Sequence, residues 1–399
     1  MIDLKAARAE PDIWRAALAR KGAAEAFDAL LAADERWRLL VPRVDDLRSR
    51  TKLKGKPTPE QLEKLQGVKE ELRAAEEELA AAEAAREDAL AAVPNPPHDS
   101  APDGETEDDA VEIRRFGEPV ESADAKEASE IGRFELERAA RLSGSRFGYI
   151  VGDTALLALA LYRFALAHVT TAGFTPVLPP VLVREEAMVG TGFFPTEKSN
   201  IYELEQDGLF LTGTSEVALA GLHMTEILEA GAIPIRYAGF STCFRREAGA
   251  AGKDTRGMFR VHQFNKVEMF VFTTPEDAWA EHDRMVALEE DLLTQLGLPY
   301  RVVNVAAGDL GAPAAKKIDI EAWFPSQGRY REVTSCSNTT DFQARRLGIR
   351  FRSESGLETP HTLNGTVVTD RALLAILENF QGGVPEVLLA YGAPERVSG

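Results

Sequence analysis

A heptad pattern near the N-terminus constrains this chain more than any other feature. Over residues 27–50 the apolar positions Leu30, Ala33, Trp37, Leu40, Val44 and Leu47 are spaced 3, 4, 3, 4 and 3 apart, the mark of a helix with one apolar seam. Residues 59–93 repeat it: Leu65, Leu72 and Leu79 fall seven apart, and Val68, Ala75, Ala82 and Ala89 fill the alternate positions. Pro59 suits a helix start. Two such seams joined by a short polar turn predict an antiparallel hairpin over 27–93. Its second helix would be about 50 Å long, beyond what a small globular body needs, and is expected to project. The small alanines let the two helices approach closely. Pro42, on the outer face of the first helix, predicts a kink.

The turn between the helices, "LRSRTKLKGKP" (47–57), carries Arg48, Arg50, Lys52, Lys54 and Lys56 and no acid, in a chain whose formal net charge is −18. Residues 66–112, by contrast, hold fifteen Asp/Glu against three Lys/Arg. So acidic a chain is not a general coat for nucleic acid; any polyanion must bind at a local patch. A charge run at a turn is most often a solvated face, and the pattern alone favours that reading.

"PNPPHDSAPDG" (94–104) holds four prolines and ends the hairpin. The chain therefore divides into a helical domain with its linker over 1–104 and a second domain over 105–399. In the second, "IRYAGFSTCF" (235–244), "GMFRVHQFNKVEMFVFT" (257–273) and "RYREVTSCSN" (329–338) read as strands, and "TLNGTVVTDRALLAILENFQ" (362–381) as strand, turn and helix. Sequential strands with helices packed on them predict an α+β layer around a mostly antiparallel sheet. Composition, 44% hydrophobic and 28% charged, is that of a globular protein. Cys243 and Cys336 make neither a disulfide framework nor a zinc site. The start, "MIDLKAARAEPDIWRAAL", lacks the apolar core of a signal peptide. "ALLALALYRFALAHV" (155–169) is short and interrupted by Arg163, so no membrane span is expected. A reducing, cytoplasmic setting follows as the default.

The common nucleotide-binding loops are absent. "GAAGKDT" fails the phosphate-loop spacing, and no G-x-G-x-x-G follows a strand. The richest segment is "CFRREAGAAGKDTRGMFRVHQFNKVEMF" (243–270). Arg245 and Arg256 stand at the two ends of its long loop, where paired guanidinium groups clamp a phosphate; a solvated hairpin is the plainer reading. "LTGTSEVALAG" (211–221) sets Thr214, Ser215 and Glu216 at a turn, either as a small zwitterion site or as a helix cap. Glu268 sits among alternating apolar residues and points into a cleft if the strand is regular. Glu332 and Ser335 are three apart on a strand, hence on opposite faces unless a bulge intervenes. "HTLNGT" followed by Arg371 puts a cation at a helix start, against the macrodipole, which points weakly to an anionic ligand. His223 and His262 have no second metal ligand at local spacing and read as structural or rim residues.

Together these segments resemble the seryl-tRNA synthetases, of bacterial type, a family of class II aminoacyl-tRNA synthetases. The likeness runs through nearly the whole chain, including "LERAARLSGSRF" (136–147), "VLPPVLVREEAMVGTGFFP" (177–195) and "AAGDLGAPAAKKIDIEAWFPSQGRYREVTSCSNTTDFQARR" (306–346). It implies a class II antiparallel sheet flanked by helices, with an N-terminal antiparallel coiled-coil arm. It also implies a homodimer that takes L-serine, ATP with Mg²⁺, and tRNA(Ser), with tRNA(Sec) as a second candidate. "FTPVLPP" then ends the motif that builds the dimer interface. Arg245, Glu332 and Arg371 carry the chemistry. Thr214, Ser215, Glu216, Arg245, Glu268, Asn364 and Thr366 hold serine. ATP meets Arg245, Arg246, Glu247, Val261, the run Glu332, Val333, Thr334, Ser335, and Arg371. Glu332 and Ser335 meet Mg²⁺. The five basic residues of the arm turn become candidate tRNA contacts. Two departures stand out: "TVVTDR" replaces a longer glycine-containing run, and Asp370 directly precedes Arg371, placed to draw that arginine from phosphate. They motivate a rival reading, a paralogue activating serine or another small amino acid for biosynthesis or self-protection. A non-enzymatic coiled-coil interaction protein is the third reading, resting on the hairpin alone.

Overall fold

The computed structural model describes residues 1–52, 58–120, 124–248 and 257–398, and the chain forms two compact units, Met1–Pro96 and Pro97–Gly399.

In the first unit, helices α1 (Ala24–Arg50) and α2 (Pro59–Ala92) make the hairpin. Pro59 takes the first helical position. Thr58 Oγ1 accepts from the Gln61 amide while the Gln61 side chain accepts from the Thr58 amide, a reciprocal cap that satisfies two otherwise orphaned donors. The seam buries Val44, Leu47 and Ala75, with Val68, Leu72 and Leu79 packed against them. α1 continues through Pro42, on its exposed side. One seam-side residue is charged. Asp34 is buried and accepts from Arg8 at 2.9 Å and Arg86 at 2.8 Å. Burial opposes its charge, but the two guanidinium groups outweigh burial and hold the carboxyl below its ordinary value.

The second unit is built on an eight-stranded sheet. Its strands are β1 (Val111–Phe116), β2 (Thr175–Val177), β3 (Ile235–Phe244), β4 (Gln263–Thr273), β5 (Tyr300–Asn304), β6 (Lys316–Phe324), β7 (Arg329–Asn338) and β8 (His361–Thr369). Their spatial order is β1-β5-β6-β7-β8-β4-β3-β2. Every pair is antiparallel except β2 with β3. Helices α3 (Asp153–Thr171), α5 (Ala278–Gln295) and α7 (Asp370–Phe380) contribute to one large core that also takes Val267, Met269, Ile320, Val333, Cys336 and Val367 from the sheet. The short helices α4 (Glu216–Gly221) and α6 (Phe342–Arg346) belong to other parts of the same unit.

Two expectations change here. Residues 97–104 belong to the second unit rather than the first: the His98 amide donates to Ala315 O, and Ala101 is buried with Val305, Ala307, Leu310 and Ala314. α3 runs 19 residues and is long and apolar enough to cross a bilayer by length and composition. Burial, not brevity, argues that it is a core helix: Leu157, Leu161 and Ala165 are fully enclosed.

Strand registers decide what faces the site. On β4, Val267, Met269 and Val271 join the helix-side core, so Lys266 and Glu268 point the opposite way. On β7, Glu332 pairs with Glu321 and Thr334 with Ile320, leaving Val333 as an extra, bulged residue. Val333 and Thr334 both turn toward the helices, Val333 into the core and Thr334 Oγ1 to Glu289 on α5 at 3.0 Å. Glu332 and Ser335 therefore share the other face, which a regular strand forbids. β8 carries a matching irregularity at Val367, since Glu268 pairs with Thr366 and Val267 with Val368.

Candidate active site

The sheet face turned away from the large core opens into a cleft lined by, among others, Arg245, Phe259, Lys266, Glu332, Thr366 and Arg371. Glu247, Val261, Val333 and Thr334 also border it.

Lys266 joins the cleft to a buried polar nest. Thr214 Oγ1 donates to Glu268 Oε2 at 3.3 Å and accepts from Lys266 Nζ at 2.6 Å and from the Glu216 amide at 3.2 Å. Lys266 also pairs directly with Glu268. The "TSE" turn leads into α4, whose first residue, Glu216, gives its amide to Thr214 Oγ1 and carries its side chain beside the nest. Glu216 is buried and accepts from Gln343 Nε2 at 2.7 Å and Asn364 Nδ2 at 3.0 Å. Burial, reinforced by the nearby Glu268 carboxylate, pushes its carboxyl up to about 7. Arg245, just past the end of β3, is tied by Nε to Gly213 O at 3.3 Å and lies 5.3 Å over the Phe264 ring. The arrangement offers two acids, hydroxyls and a fixed guanidinium to a small zwitterion.

The cleft itself is cationic and aromatic. Arg371 Nη1 donates to both Glu332 Oε2 and Glu332 O at 3.1 Å. The Glu332 side chain is about half exposed; partial desolvation at the cleft wall works against its charge, but Arg371, Lys317 and Arg245 outweigh it and hold the carboxyl below its ordinary value. The Phe259 ring carries two guanidinium groups, Arg331 at 3.7 Å and Arg371 at 4.8 Å, planar surfaces of the kind on which a base stacks. Arg260 Nη1 donates to Glu247 Oε2 at 2.5 Å, and Glu247 adopts a left-handed φ of 51°, uncommon outside glycine. Asp370 does not hold Arg371. Its carboxylate accepts from Tyr162 Oη and from the Asn265 amide at 3.1 Å, and burial raises it to about 6.

Some sequence-named residues stand apart. Ser215 Oγ donates to Gly239 O at 3.5 Å, behind the nest. The Arg246 guanidinium lies 5.4 Å from the Tyr202 ring, and its side chain is not among the cleft's lining. Ser335 neighbours Asp319, whose raised value of about 6 comes from burial and is partly offset by Lys317 and by a hydrogen bond from Ser335. Arg256, Lys54 and Lys56 lie outside the described residues. In the first unit, Arg48 pairs with Glu76 at 3.0 Å and Arg50 with Asp46 at 3.6 Å, all on exposed side chains, while Lys52 is exposed. Such pairs are worth about 0–1 kcal/mol and exchange readily for phosphate.

Sequence reading missed Lys266, Phe259, Arg260, Arg331 and Gln343. Lys266 had a signal: it stands two before Glu268 on one strand and must share its face. Gln343 had none, being 127 residues from the carboxylate it touches. Among the described residues no cluster of three Asp, Glu, His or Cys side chains forms a metal site.

Comparison with known proteins gives a consistent picture. The family model for the seryl-tRNA synthetase N-terminal domain matches residues 1–97, and that for the tRNA synthetase class II core domain (G, H, P, S and T) matches residues 201–380. A serine–tRNA ligase of Acidothermus cellulolyticus is 50% identical, covering 96% of this chain and 94% of that protein. One of Mycolicibacterium vanbaalenii is 49% identical over 99% of both. The structure of seryl-tRNA synthetase from Pyrococcus horikoshii complexed with ATP superposes with a TM-score of 0.93 at 38% identity, covering 100% of this chain and 99% of that one. The chain belongs to the seryl-tRNA synthetase family of class II aminoacyl-tRNA synthetases.

Proposed function

We propose that this chain is an ATP-dependent serine–tRNA ligase acting in two steps. The serine carboxylate attacks the α-phosphorus of ATP, forming seryl-adenylate and releasing pyrophosphate. The terminal ribose hydroxyl of tRNA(Ser) then attacks the seryl carbonyl and AMP leaves. The observation that carries this reading is the cleft, with Arg371 over the Phe259 ring in its lining and an acid nest joined to it through Lys266.

In the first step no general base is needed, since a carboxylate is already a nucleophile. Glu216 and Glu268 take the serine ammonium. Thr366, which pairs with Glu268 in the sheet, meets the hydroxyl together with Asn364. Arg245 bridges the serine carboxylate and the α-phosphate, and Arg371 neutralises the outer phosphates. Rate enhancement comes from positioning and charge stabilisation. Leaving these buried partners unpaired disfavours alanine and glycine by roughly 10⁴-fold; threonine is excluded by its extra methyl group.

The Glu332 carboxylate and the Ser335 hydroxyl share one face of β7, with Asp319 Oδ1 buried and unpartnered behind them. Two oxygen donors suit Mg²⁺, which takes most of its shell from phosphates and water. When bound there it would offset phosphate charge. The exposed Leu178, directly after β2, supports a homodimer through the "FTPVLPP" stretch. The arm turn is proposed to grip tRNA through its phosphates, in a cytoplasmic enzyme. Of the two departures behind the paralogue reading, the Asp370 one loses its force, because Asp370 is committed to Tyr162 and Asn265. Serine-dependent exchange of pyrophosphate into ATP tests the proposal; silence of the purified chain with serine would defeat it.

A further inference from the structure

Gln343 is fully buried on α6 and has no direct part in the two-step reaction. Its amide is committed on both sides. Nε2 donates to Thr191 O at 3.1 Å and Glu216 Oε1 at 2.7 Å; Oε1 accepts from Thr362 Oγ1 at 3.0 Å and Thr339 Oγ1 at 3.3 Å. Two acceptors on one side fix which way the amide faces, because a flip would set its oxygen against a carbonyl and a carboxylate. Asn364 Nδ2 donates to the same Glu216 oxygen at 3.0 Å. Glu216 Oε1 thus holds two amide donors, while Oε2 has none among the described residues.

We propose that Gln343 is a positioning residue of the amino-acid site: it holds the Glu216 side chain by Oε1 and leaves Oε2 free for the ammonium of the incoming amino acid. The inference rests on the reading that Glu216 receives that ammonium. The groups facing Glu216 are Glu268 and Lys266 from β4, Arg245 past β3, Asn364 from β8 and Gln343 from α6. Burial and Glu268 favour the protonated acid; the Gln343 amide, Lys266 and Arg245 favour the carboxylate. Removing the amide tips this balance toward the neutral acid, which gives an ammonium no counter-charge. Because Gln343 reaches neither Arg245 nor Arg371 by any hydrogen bond described, ATP binding is untouched.

Gln343→Met keeps size and apolar packing while deleting both donors. In pyrophosphate exchange with the full chain it is expected to raise KM for serine about 10- to 100-fold, the equivalent of one lost hydrogen bond to a charged group, with KM for ATP within about twofold. The acid limb of kcat/KM for serine should also move to higher pH. Thr362→Val, which removes a donor to the far side of the amide, should shift serine KM several-fold in the same direction and supplies the readout if Gln343→Met does not fold. Glu216→Gln separates the two levels of the argument. If it leaves serine KM unchanged, the ammonium reading fails. If it raises serine KM while folded Gln343→Met, or Thr362→Val, leaves KM and the pH profile unchanged, the positioning role is overturned. Equal rises in the serine and ATP constants overturn it as well.

Discussion

Asp370→Asn separates what the acid before Arg371 does from what it looks able to do. The carboxyl is buried between Tyr162 and the Asn265 amide, and burial raises it from 3.8 to about 6. A carboxyl that binds its proton more tightly folded than unfolded favours the folded state in acid. Its stabilising proton is fully present below about pH 4 and lost as pH rises through about 6; above that the fold carries a buried charge. The shift corresponds to about 3 kcal/mol. Asparagine removes the charge and keeps both contacts: its oxygen accepts from the Asn265 amide, and its NH₂ donates to the Tyr162 hydroxyl, which turns to accept. Allowing about 1 kcal/mol for that exchange, the variant gains about 2 kcal/mol at pH 8 and loses up to about 1 kcal/mol near pH 4. In a unit of roughly 300 residues that is about 3 °C in Tm. Thermal melts at the two pH values, with pyrophosphate exchange alongside, are the assay. The expected result is a higher Tm at pH 8 only, with KM for ATP unchanged. A lower Tm at pH 8, or an altered KM for ATP, refutes the reasoning and returns Asp370 to Arg371.

Two further outcomes are expected. Replacing Arg48, Arg50, Lys52, Lys54 and Lys56 with Ser should weaken aminoacylation of tRNA and flatten its salt dependence, each lost phosphate contact lowering the log–log slope by about 0.7–0.9, while serine–ATP exchange stays near wild type; equal loss of both reactions contradicts this. Gly365→Ala would set a methyl 2.7 Å from Glu289 Oε1, 3.0 Å from Met285 Cε and 3.3 Å from Cys336 Sγ, all in the packed core, so a loss of about 1–3 kcal/mol is expected, read as a lower melting temperature by circular dichroism.

What was legible in the sequence was what period encodes. The heptads of 27–93 and the alternating strands 235–244 and 329–338 appear as helices and strands with nearly those bounds, because one buried face imposes its spacing on the residues. What depends on two segments meeting was not legible. Glu332 and Ser335 come to one face only through the extra Val333, a register event set by the partner strand. Asp34, on the seam side of the arm, needs Arg8 and Arg86 from two other helices to be tolerable there. The Asp370 carboxyl turned out to face Tyr162, 208 residues away, rather than its neighbour Arg371. The resemblance named the site residues; the structure accounts for how Thr214, Lys266 and Glu268 converge.

The most direct measurement is amino-acid-dependent pyrophosphate exchange by the purified chain with serine, threonine, alanine and glycine in parallel. Exchange with serine at a kcat/KM about 10⁴-fold above alanine or glycine, with threonine inactive, is the predicted result. Exchange with none of the four, or a preference for an amino acid other than serine, contradicts the account.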